Sequence, residues 1–199
     1  MNTSDILIWS IFIVGGFLLG GIMFSQILPK AIAKKDIAAI SSDHNPGASN
    51  VFLNCGVSLG LLCLFLDMLK GFLPIYMAAR RLDTQQLLFA AVLVAPVLGH
   101  ALAPFNDFHG GKCIATVFGE MIALWSQTKV GLILAGLYIF FSTIVKINPN
   151  RRRSLVTFLL FGALSFGLLA RSGQYPLAIG CGLISLITVT RHMKGLCRI

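Results

Sequence analysis

The chain has 199 residues, of which 56% are hydrophobic and only 12% are charged, and its formal net charge is +9. An ordinary soluble domain is excluded, because several windows exceed the roughly 18 mostly apolar residues that indicate a bilayer span. The positive charge would suggest nucleic acid in a soluble protein, but basic cytoplasmic loops and anionic lipid explain it here. We therefore predict an all-α polytopic membrane protein, a single domain over residues 1–199, without a nucleic-acid partner.

Seven apolar runs follow one another along the chain. Each is predicted to be a transmembrane helix, because backbone in lipid must satisfy its own hydrogen bonds. The runs cover residues 6–28, 51–69, 85–104, 113–126, 130–147, 154–170 and 174–190. The fourth run is short and is a tilted span, a half-helix or a buried helix. It contains Glu120, an intramembrane acid that is either functional or a buried hydrogen-bonded or ion-paired residue.

Basic residues indicate how the seven spans are oriented. With the N-terminus outside, the inside segments hold eleven Lys and Arg residues and the outside segments hold four, with Lys70 on neither side. Such an excess is the positive-inside pattern. The prediction is an N-terminus outside and a C-terminus in the cytoplasm. No basic segment precedes the first run, so a cleaved signal peptide is not expected.

One polar stretch, residues 41–50, lies between the first two apolar runs. Its proline, glycine and small residues favour tight turns that expose backbone N–H groups. A helix predicted to begin at Asn50–Val51 would direct its positive end at this stretch and make an anion site. A second stretch, Phe108–Lys112, offers two glycines and a cation. Both stretches fall on the cytoplasmic side, which favours a substrate with more than one phosphate-like group.

Four more polar residues are candidates for the site. Asp67 and Lys70 share a helix face and form either a structural ion pair or part of the site lining. His100 precedes Pro104, which should end the third helix and let the chain fold back. His100 is either a hydrogen-bonded packing residue or a site residue that acts as a base or binds phosphate. His192 is either an anchor at the membrane interface or a site residue.

Residue patterns typical of covalent or metal catalysis are absent from the sequence. The five cysteines have no close pair at metal-ligand or redox spacing, so we predict no metal, no disulfide and no cofactor. No serine elbow is present, and no cysteine stands beside a histidine. A reaction at this site would therefore depend on positioning and charge stabilisation.

Four groups of residues together resemble a known family. They are Asn45-Pro46-Gly47-Ala48-Ser49-Asn50, Leu66-Asp67-Met68-Leu69-Lys70-Gly71, Gly99-His100 with Phe108-His109-Gly110-Gly111-Lys112, and Arg191-His192. In order and spacing they resemble the bacterial acyl-phosphate:glycerol-3-phosphate acyltransferases, the PlsY family. The resemblance covers nearly the whole chain.

This resemblance implies a bacterial inner-membrane enzyme whose active site faces the cytoplasm. It would move a fatty acyl group from acyl phosphate to the 1-hydroxyl of glycerol 3-phosphate, giving lysophosphatidic acid and phosphate in phospholipid biosynthesis, with no obligate protein partner. The implied catalytic residues are His192, Asn45 and Ser42. The implied substrate- and phosphate-binding residues are Gly47, Ala48, Ser49, Asn50, His100, Gly110, Gly111, Lys112, Asp67 and Lys70. Backbone N–H groups of residues 45–50 and 110–111 would bind phosphates, with Lys112 as the counter-charge.

The chain departs from the family pattern at a few polar positions. Ala38 stands where the family has arginine, and Asp43 stands where it has serine, although a one-residue shift lets Ser42 serve. His109 replaces a lysine before the two glycines, and Gly195 replaces the asparagine that the family has three residues after the tail histidine, His192. Two alternatives therefore stay open: an acyltransferase with another acceptor, and a non-catalytic paralogue that binds phospholipid-like ligands.

Overall fold

The computed structural model describes residues 2–193, and this part of the chain is helical and contains no strand. A five-residue π-helical segment, Pro29–Ala33, accompanies ten α-helices. The α-helices are α1 Thr3–Gly21, α2 Phe24–Leu28, α3 Ile37–Ile40, α4 Ala48–Cys55, α5 Val57–Ala79, α6 Phe89–Leu102, α7 Ile114–Ala123, α8 Gly131–Thr143, α9 Asn150–Arg171 and α10 Tyr175–Met193. The predicted all-α class is confirmed, and at least one helix lies in each of the seven apolar runs.

Helix lengths divide the apolar runs into two classes. Four helical segments are long and apolar enough to cross a membrane: Thr3–Ala33, Val57–Ala79, Asn150–Arg171 and Tyr175–Met193. Helices α6, α7 and α8 have 14, 10 and 13 residues. At 1.5 Å per residue, α7 is about 15 Å long, half of a hydrocarbon core of about 30 Å. The fourth run is therefore a half-length helix, and most of its residues are buried.

The second apolar run begins earlier than the sequence predicted and is interrupted. Helix α4 begins at Ala48 rather than at Asn50–Val51, with Gly47 as its N-cap. It ends at Cys55, and Gly56, at a φ of 89°, separates it from α5. Only glycine adopts this φ without strain. A small apolar cluster packs α3 and α4 against α5, and its buried members are Ile37, Ala48, Val51 and Cys63.

Helix α6 lies between α1 and α10 and runs parallel to both. Gly20 of α1 packs against the backbone of Pro96, and Gly99 packs against the backbone of Phe17. On the other side of α6, Leu93 contacts Gly180 of α10. These close approaches bring the C-terminal ends of α1, α6 and α10 to the same end of the bundle. The polar loops lie at that end.

Candidate active site

The first loop, residues 41–50, follows the short helix α3. Asp36 caps α3 by accepting the Ala39 N–H at 3.1 Å, and it also accepts the Gln26 amide at 2.6 Å. The hydrogen bond from Gln26, followed by that from Ala39, holds the pKa of the Asp36 carboxyl below its usual value. The entry to the first loop is therefore fixed to the end of the first membrane segment.

The first loop is held by hydrogen bonds that involve its own asparagine and aspartate side chains. The Asn50 amide donates to the Asn45 carbonyl at 2.7 Å and to Asp43 Oδ1 at 2.8 Å. The Asn45 N–H also donates to Asp43 Oδ1, at 3.2 Å. Helix α4 then starts, with the Asn50 N–H bonded to the Gly47 carbonyl at 2.9 Å. The first turn of a helix has no intrahelical partners for its N–H groups, so this end of α4 suits an anion.

The second loop, residues 103–113, folds back onto α6. Helix α6 ends at Leu102, and Ala103 takes a left-handed conformation with a φ of 47°. The Gly111 N–H donates to the His100 carbonyl at 3.2 Å. A return of the chain towards His100 is what Pro104 predicts, and it is confirmed.

The two glycines of the second loop are required by this close approach. A Cβ atom on Gly110 would collide with the carbonyl oxygens of His100 and Ala101. A Cβ atom on Gly111 would collide with the imidazole of His100. Any other residue at either position would push the loop away from α6, and with it the Lys112 ammonium that follows.

Lys112 connects the two loops. Its Nζ donates to Asp43 Oδ2 at 2.5 Å, and the two side chains are 26% and 41% exposed. Burial raises the pKa of the Asp43 carboxyl, but the hydrogen bonds from Lys112 and Asn50 outweigh it and the pKa is lowered overall. Asp43 is therefore a carboxylate at neutral pH, and a cation, an amide and a backbone N–H converge on it.

Arg191, at the end of α10, holds the second loop from the opposite side. Its Nε donates to the Gly111 carbonyl at 3.1 Å, and its Nη2 donates to the Gly110 carbonyl. The guanidinium presents its N–H groups as a planar fork, which suits two neighbouring acceptors. Helix α10 and the second loop are thereby joined at the same end as the first loop.

His192 is buried beside this contact. Its Nδ1 is 2.8 Å from the Thr188 carbonyl, which can only accept, so Nδ1 carries the proton and Nε2 is left for a ligand. Arg151 donates to the carbonyls of His192 and Met193 at 2.6 and 3.1 Å and so fixes the end of α10. Arg191, the residue before His192, donates to the carbonyls of Gly110 and Gly111, so the backbone that carries Lys112 lies beside this end of α10.

Asp67 and Lys70 lie deeper, inside the helical bundle. Lys70 Nζ is 3.0 Å from Asp67 Oδ1 and donates to the Ile22 carbonyl at 2.5 Å. Asp67 Oδ2 accepts the Ser25 hydroxyl at 2.5 Å. Of the two alternatives that the sequence leaves open, the structure shows the ion pair. Since Ile22 lies where α1 gives way to α2, the pair satisfies a carbonyl that the interrupted helix leaves open.

Glu120 is fully buried on α7, and neither of its carboxyl oxygens has a hydrogen-bond partner among residues 2–193. The predicted hydrogen-bonded or ion-paired state is therefore not found in the described part of the chain. Cys55, Cys63, Cys113 and Cys181 are free thiols, and the last three are buried. Cys197 lies outside the described residues, as do Lys194, Gly195 and Arg198 of the basic tail.

Known proteins show where this arrangement belongs. A family model described as glycerol-3-phosphate acyltransferase matches residues 10–199. The chain belongs to the glycerol-3-phosphate acyltransferase family. A glycerol-3-phosphate acyltransferase of Endomicrobium trichonymphae is 37% identical over 144 residues, which are 71% of each chain. One of Maridesulfovibrio salexigens is 28% identical over 193 residues, 97% of this chain and 94% of that one.

Solved structures of the acyltransferase family agree with the fold. The crystal structure of PlsY, an integral membrane glycerol 3-phosphate acyltransferase, in its glycerol 3-phosphate form has a TM-score of 0.81 and 26% identity. The lysophosphatidic acid form has a TM-score of 0.78 and 25% identity. Each match covers 96% of this chain and 90% of the other. The family and enzyme class predicted from sequence, a membrane glycerol-3-phosphate acyltransferase, are confirmed.

The predicted site residues of this acyltransferase fall into two groups. Those at the loop end are Ser42, Asn45, Gly47, Ala48, Ser49, Asn50, Gly110, Gly111, Lys112 and His192. The remaining three, Asp67, Lys70 and His100, are buried beneath the loops. The structure brings the first group together from three separate segments of the chain: residues 42–50, residues 110–112 and the end of α10. His100 contacts the second loop, whereas Asp67 and Lys70 contact the break in the first helix.

Several backbone N–H groups expected to bind phosphate are already used within the protein. The Gly111 N–H donates to His100, contrary to that expectation, and the N–H groups of Asn45, Gly47 and Asn50 donate within the first loop. Pro46 has no N–H to offer. The backbone donors left in the first loop for an anion are those of residues 48 and 49, in the first turn of α4.

Two contacts at this end were not predicted. The sequence patterns place Arg191 beside His192 without assigning it a role, and they mark Asp43 only as a departure from the family pattern. Their partners lie about 80 and 69 residues away in sequence. The available signal for Arg191 was its position beside His192, and for Asp43 its acid charge in a loop otherwise suited to anions.

Proposed function

We propose that this protein moves a fatty acyl group from acyl phosphate to the 1-hydroxyl of glycerol 3-phosphate. The observation that carries the proposal is the convergence of Lys112, the first turn of α4 and His192 at one end of the bundle. The similar PlsY structures are described as glycerol 3-phosphate and lysophosphatidic acid forms, which supports an acceptor and a product of this kind. The products are lysophosphatidic acid and inorganic phosphate, in phospholipid biosynthesis.

Donors for two phosphate groups are available in this arrangement. The Lys112 ammonium and the N–H groups of Ala48 and Ser49 are cationic or partly positive, and both suit phosphate oxygens. Asn45 and Asn50 hold the first loop in shape, and Gly110 and Gly111 let the second loop approach α6. His100 supports Gly111 from below, and Ser42, which is exposed, is free to bind the acceptor. Asp67 and Lys70 act at a distance, by holding the first membrane segment.

The reaction itself needs no covalent enzyme intermediate. The hydroxyl oxygen attacks the acyl carbonyl carbon, the ester bond forms, and the bond between acyl carbon and phosphate oxygen breaks. The electron pair leaves on phosphate, and the hydroxyl proton ends on the phosphate that is released. His192 Nε2 binds the attacking hydroxyl, and the fixed positive groups stabilise the charge that develops on the leaving phosphate. This chemistry requires neither metal nor cofactor.

The proposed topology has seven spans with the N-terminus outside and the C-terminus in the cytoplasm. The parallel packing of α1, α6 and α10 and the antiparallel packing of α9 on α10 support alternating spans. Helix α7 would cross only part of the bilayer. The positive-inside pattern assigns the loop end to the cytoplasm, where the site would face soluble glycerol 3-phosphate. The location is a bacterial inner membrane, and the protein is proposed to need no obligate protein partner.

The decisive experiment measures phosphate release by the purified protein in detergent. Palmitoyl phosphate is supplied with and without glycerol 3-phosphate, and lipid products are separated. Release that requires glycerol 3-phosphate and yields lysophosphatidic acid is expected. Release that ignores glycerol 3-phosphate would show that the acceptor is another compound. No turnover by folded protein would contradict the proposal and leave a non-catalytic paralogue.

A further inference from the structure

The contact between Asp43 and Lys112 bears on how the site binds its substrate. Asp43 accepts hydrogen bonds from three kinds of donor: the Lys112 ammonium at 2.5 Å, the Asn50 amide at 2.8 Å and the Asn45 N–H at 3.2 Å. A cation, an amide and a backbone N–H are also the groups that proteins use to hold a phosphate. The Asp43 carboxylate therefore satisfies, within the chain, donors suited to a phosphate group.

We infer that Asp43 is an internal competitor for the phosphate site and sets the affinity of this acyltransferase for its phosphate-bearing substrate. The inference rests on the proposed function, because it assumes that Lys112 is the counter-charge for the phosphate of glycerol 3-phosphate. In the free enzyme the carboxylate holds Lys112. A substrate phosphate takes Lys112 from it, and Asp43 turns to solvent.

Exposure and charge make this exchange possible. Asp43 and Lys112 are 41% and 26% exposed, so water and ligands reach the pair, and the displaced carboxylate can be solvated. An ion pair of this exposure is weak because solvent screens it. A phosphate dianion carries more charge than a carboxylate and has more oxygens to accept hydrogen bonds, so it competes successfully for the same ammonium.

The competition makes substrate binding weaker than the positive groups alone would allow, and it keeps Lys112 positioned between turnovers. The prediction is a change in KM rather than in kcat, since Asp43 has left Lys112 by the time substrate is bound.

The test is the affinity for glycerol 3-phosphate, measured by titration calorimetry on the full chain in detergent, together with KM and kcat. Asp43→Asn keeps the shape and the acceptor oxygen but removes the charge, and it should bind glycerol 3-phosphate about fivefold more tightly, with kcat unchanged. Asp43→Ser should do the same. The tighter binding should also depend more steeply on salt, because in the native protein salt weakens the competing pair as well.

Asp107→Asn is the matched control. Asp107 is an exposed acid on the second loop, so its substitution makes the same change in net charge on a loop of the site. It should leave the affinity unchanged. Equal gains from Asp43→Asn and Asp107→Asn would reduce the effect to overall charge and overturn the inference, as would an unchanged or weakened affinity in both Asp43 variants.

The variant Lys112→Met distinguishes a failure of the competition by Asp43 from a failure of the proposed phosphate site. If Lys112→Met loses glycerol 3-phosphate binding and Asp43→Asn gains none, the proposed site stands and the competition is wrong. If Lys112→Met binds as well as the native protein, Lys112 is not the counter-charge and the competition is wrong, whereas the proposed reaction falls only if the native protein releases no phosphate in the presence of glycerol 3-phosphate. Thermal unfolding of each variant establishes that it is folded before its affinity is compared.

Discussion

Two aspartate–lysine pairs in this protein have the same chemistry and opposite surroundings. Asp67 and Lys70 are 3.0 Å apart, with side chains that are 2% and 0% exposed. Asp43 and Lys112 are 2.5 Å apart and partly exposed. The buried pair has further fixed partners, the Ser25 hydroxyl and the Ile22 carbonyl. In the loop pair, Asp43 has Asn45 and Asn50 as further partners, and both charged side chains are in contact with solvent.

This difference decides what each pair can do. A buried charge cannot lose its partner without a large cost, because no water replaces it. The Asp67–Lys70 pair is therefore fixed and serves to hold the broken first helix against α5. A partly exposed pair exchanges its partner for a ligand at little cost. The Asp43–Lys112 pair is therefore suited to a binding site, although its residues are the same.

The largest expected effect comes from opening the buried pair. Lys70→Met leaves the Asp67 carboxylate without a counter-charge and the Ile22 carbonyl without a donor. We expect the free energy of unfolding in detergent to fall by about 3–5 kcal/mol. Lys30→Met is the control, because the Lys30 side chain is 69% exposed and its Nζ lies 3.8 Å from Asp36 Oδ2. It should change the free energy of unfolding by less than about 1 kcal/mol. Equal losses in the two variants would contradict the comparison.

The loop pair should give the opposite pattern. Lys112→Met removes the cation proposed to hold the phosphate of glycerol 3-phosphate and so to position its hydroxyl, and turnover should fall at least about 100-fold. Its free energy of unfolding should change by less than about 1 kcal/mol, since the pair is partly exposed. Phosphate release and thermal unfolding are measured on the same preparation, again with Lys30→Met as the reference. A Lys112 variant that unfolds as easily as Lys70→Met would show that the loop pair is structural.

The sequence predicted the buried pair better than the loop pair. Asp67 and Lys70 are three residues apart on one helix, so helical geometry alone brings them together. Ser25 and Ile22 were missed, because the interruption between α1 and α2 falls inside an unbroken apolar run. The start of α4 was placed two residues late, and its end at Gly56 was not predicted, although a glycine inside an apolar run was a usable signal.

The loop end depends on contacts between distant segments. The type of each loop was predictable from its glycines, proline and charge, and so was the return of the second loop after Pro104. Which side chain meets Lys112 was not, because a single sequence carries no measure of proximity between residues 43 and 112. The same holds for Arg191, whose acceptors are backbone carbonyls that any residue could provide.

Substitutions of Arg191 test whether activity needs its hydrogen bonds to the second loop as well as its positive charge. Arg191→Lys keeps the positive charge but cannot span the carbonyls of Gly110 and Gly111, so one charged hydrogen bond is lost. Turnover should fall about tenfold. Arg191→Gln, which loses the charge as well, should lose more. The control is Arg152→Lys, an exposed arginine on α9. Native activity in Arg191→Lys would mean that the loop keeps its position without the guanidinium fork.

The smallest expected effect concerns pH and separates a charge role for Asp43 from an acid–base role. Its folded pKa lies below its ordinary value of 3.8, so the ionised form contributes stability above that value, and this is lost only as the pH falls through the lower, folded pKa. Between pH 5.5 and 8, Asp43 does not change charge. The ratio of KM for glycerol 3-phosphate in the native protein to that in Asp43→Asn should therefore stay constant across this range. Titration of the substrate phosphate affects both proteins equally and cancels. A ratio that changes several-fold with pH would mean that Asp43 gains or loses a proton during the reaction, and the loop pair would then be part of the chemistry rather than a competitor for binding.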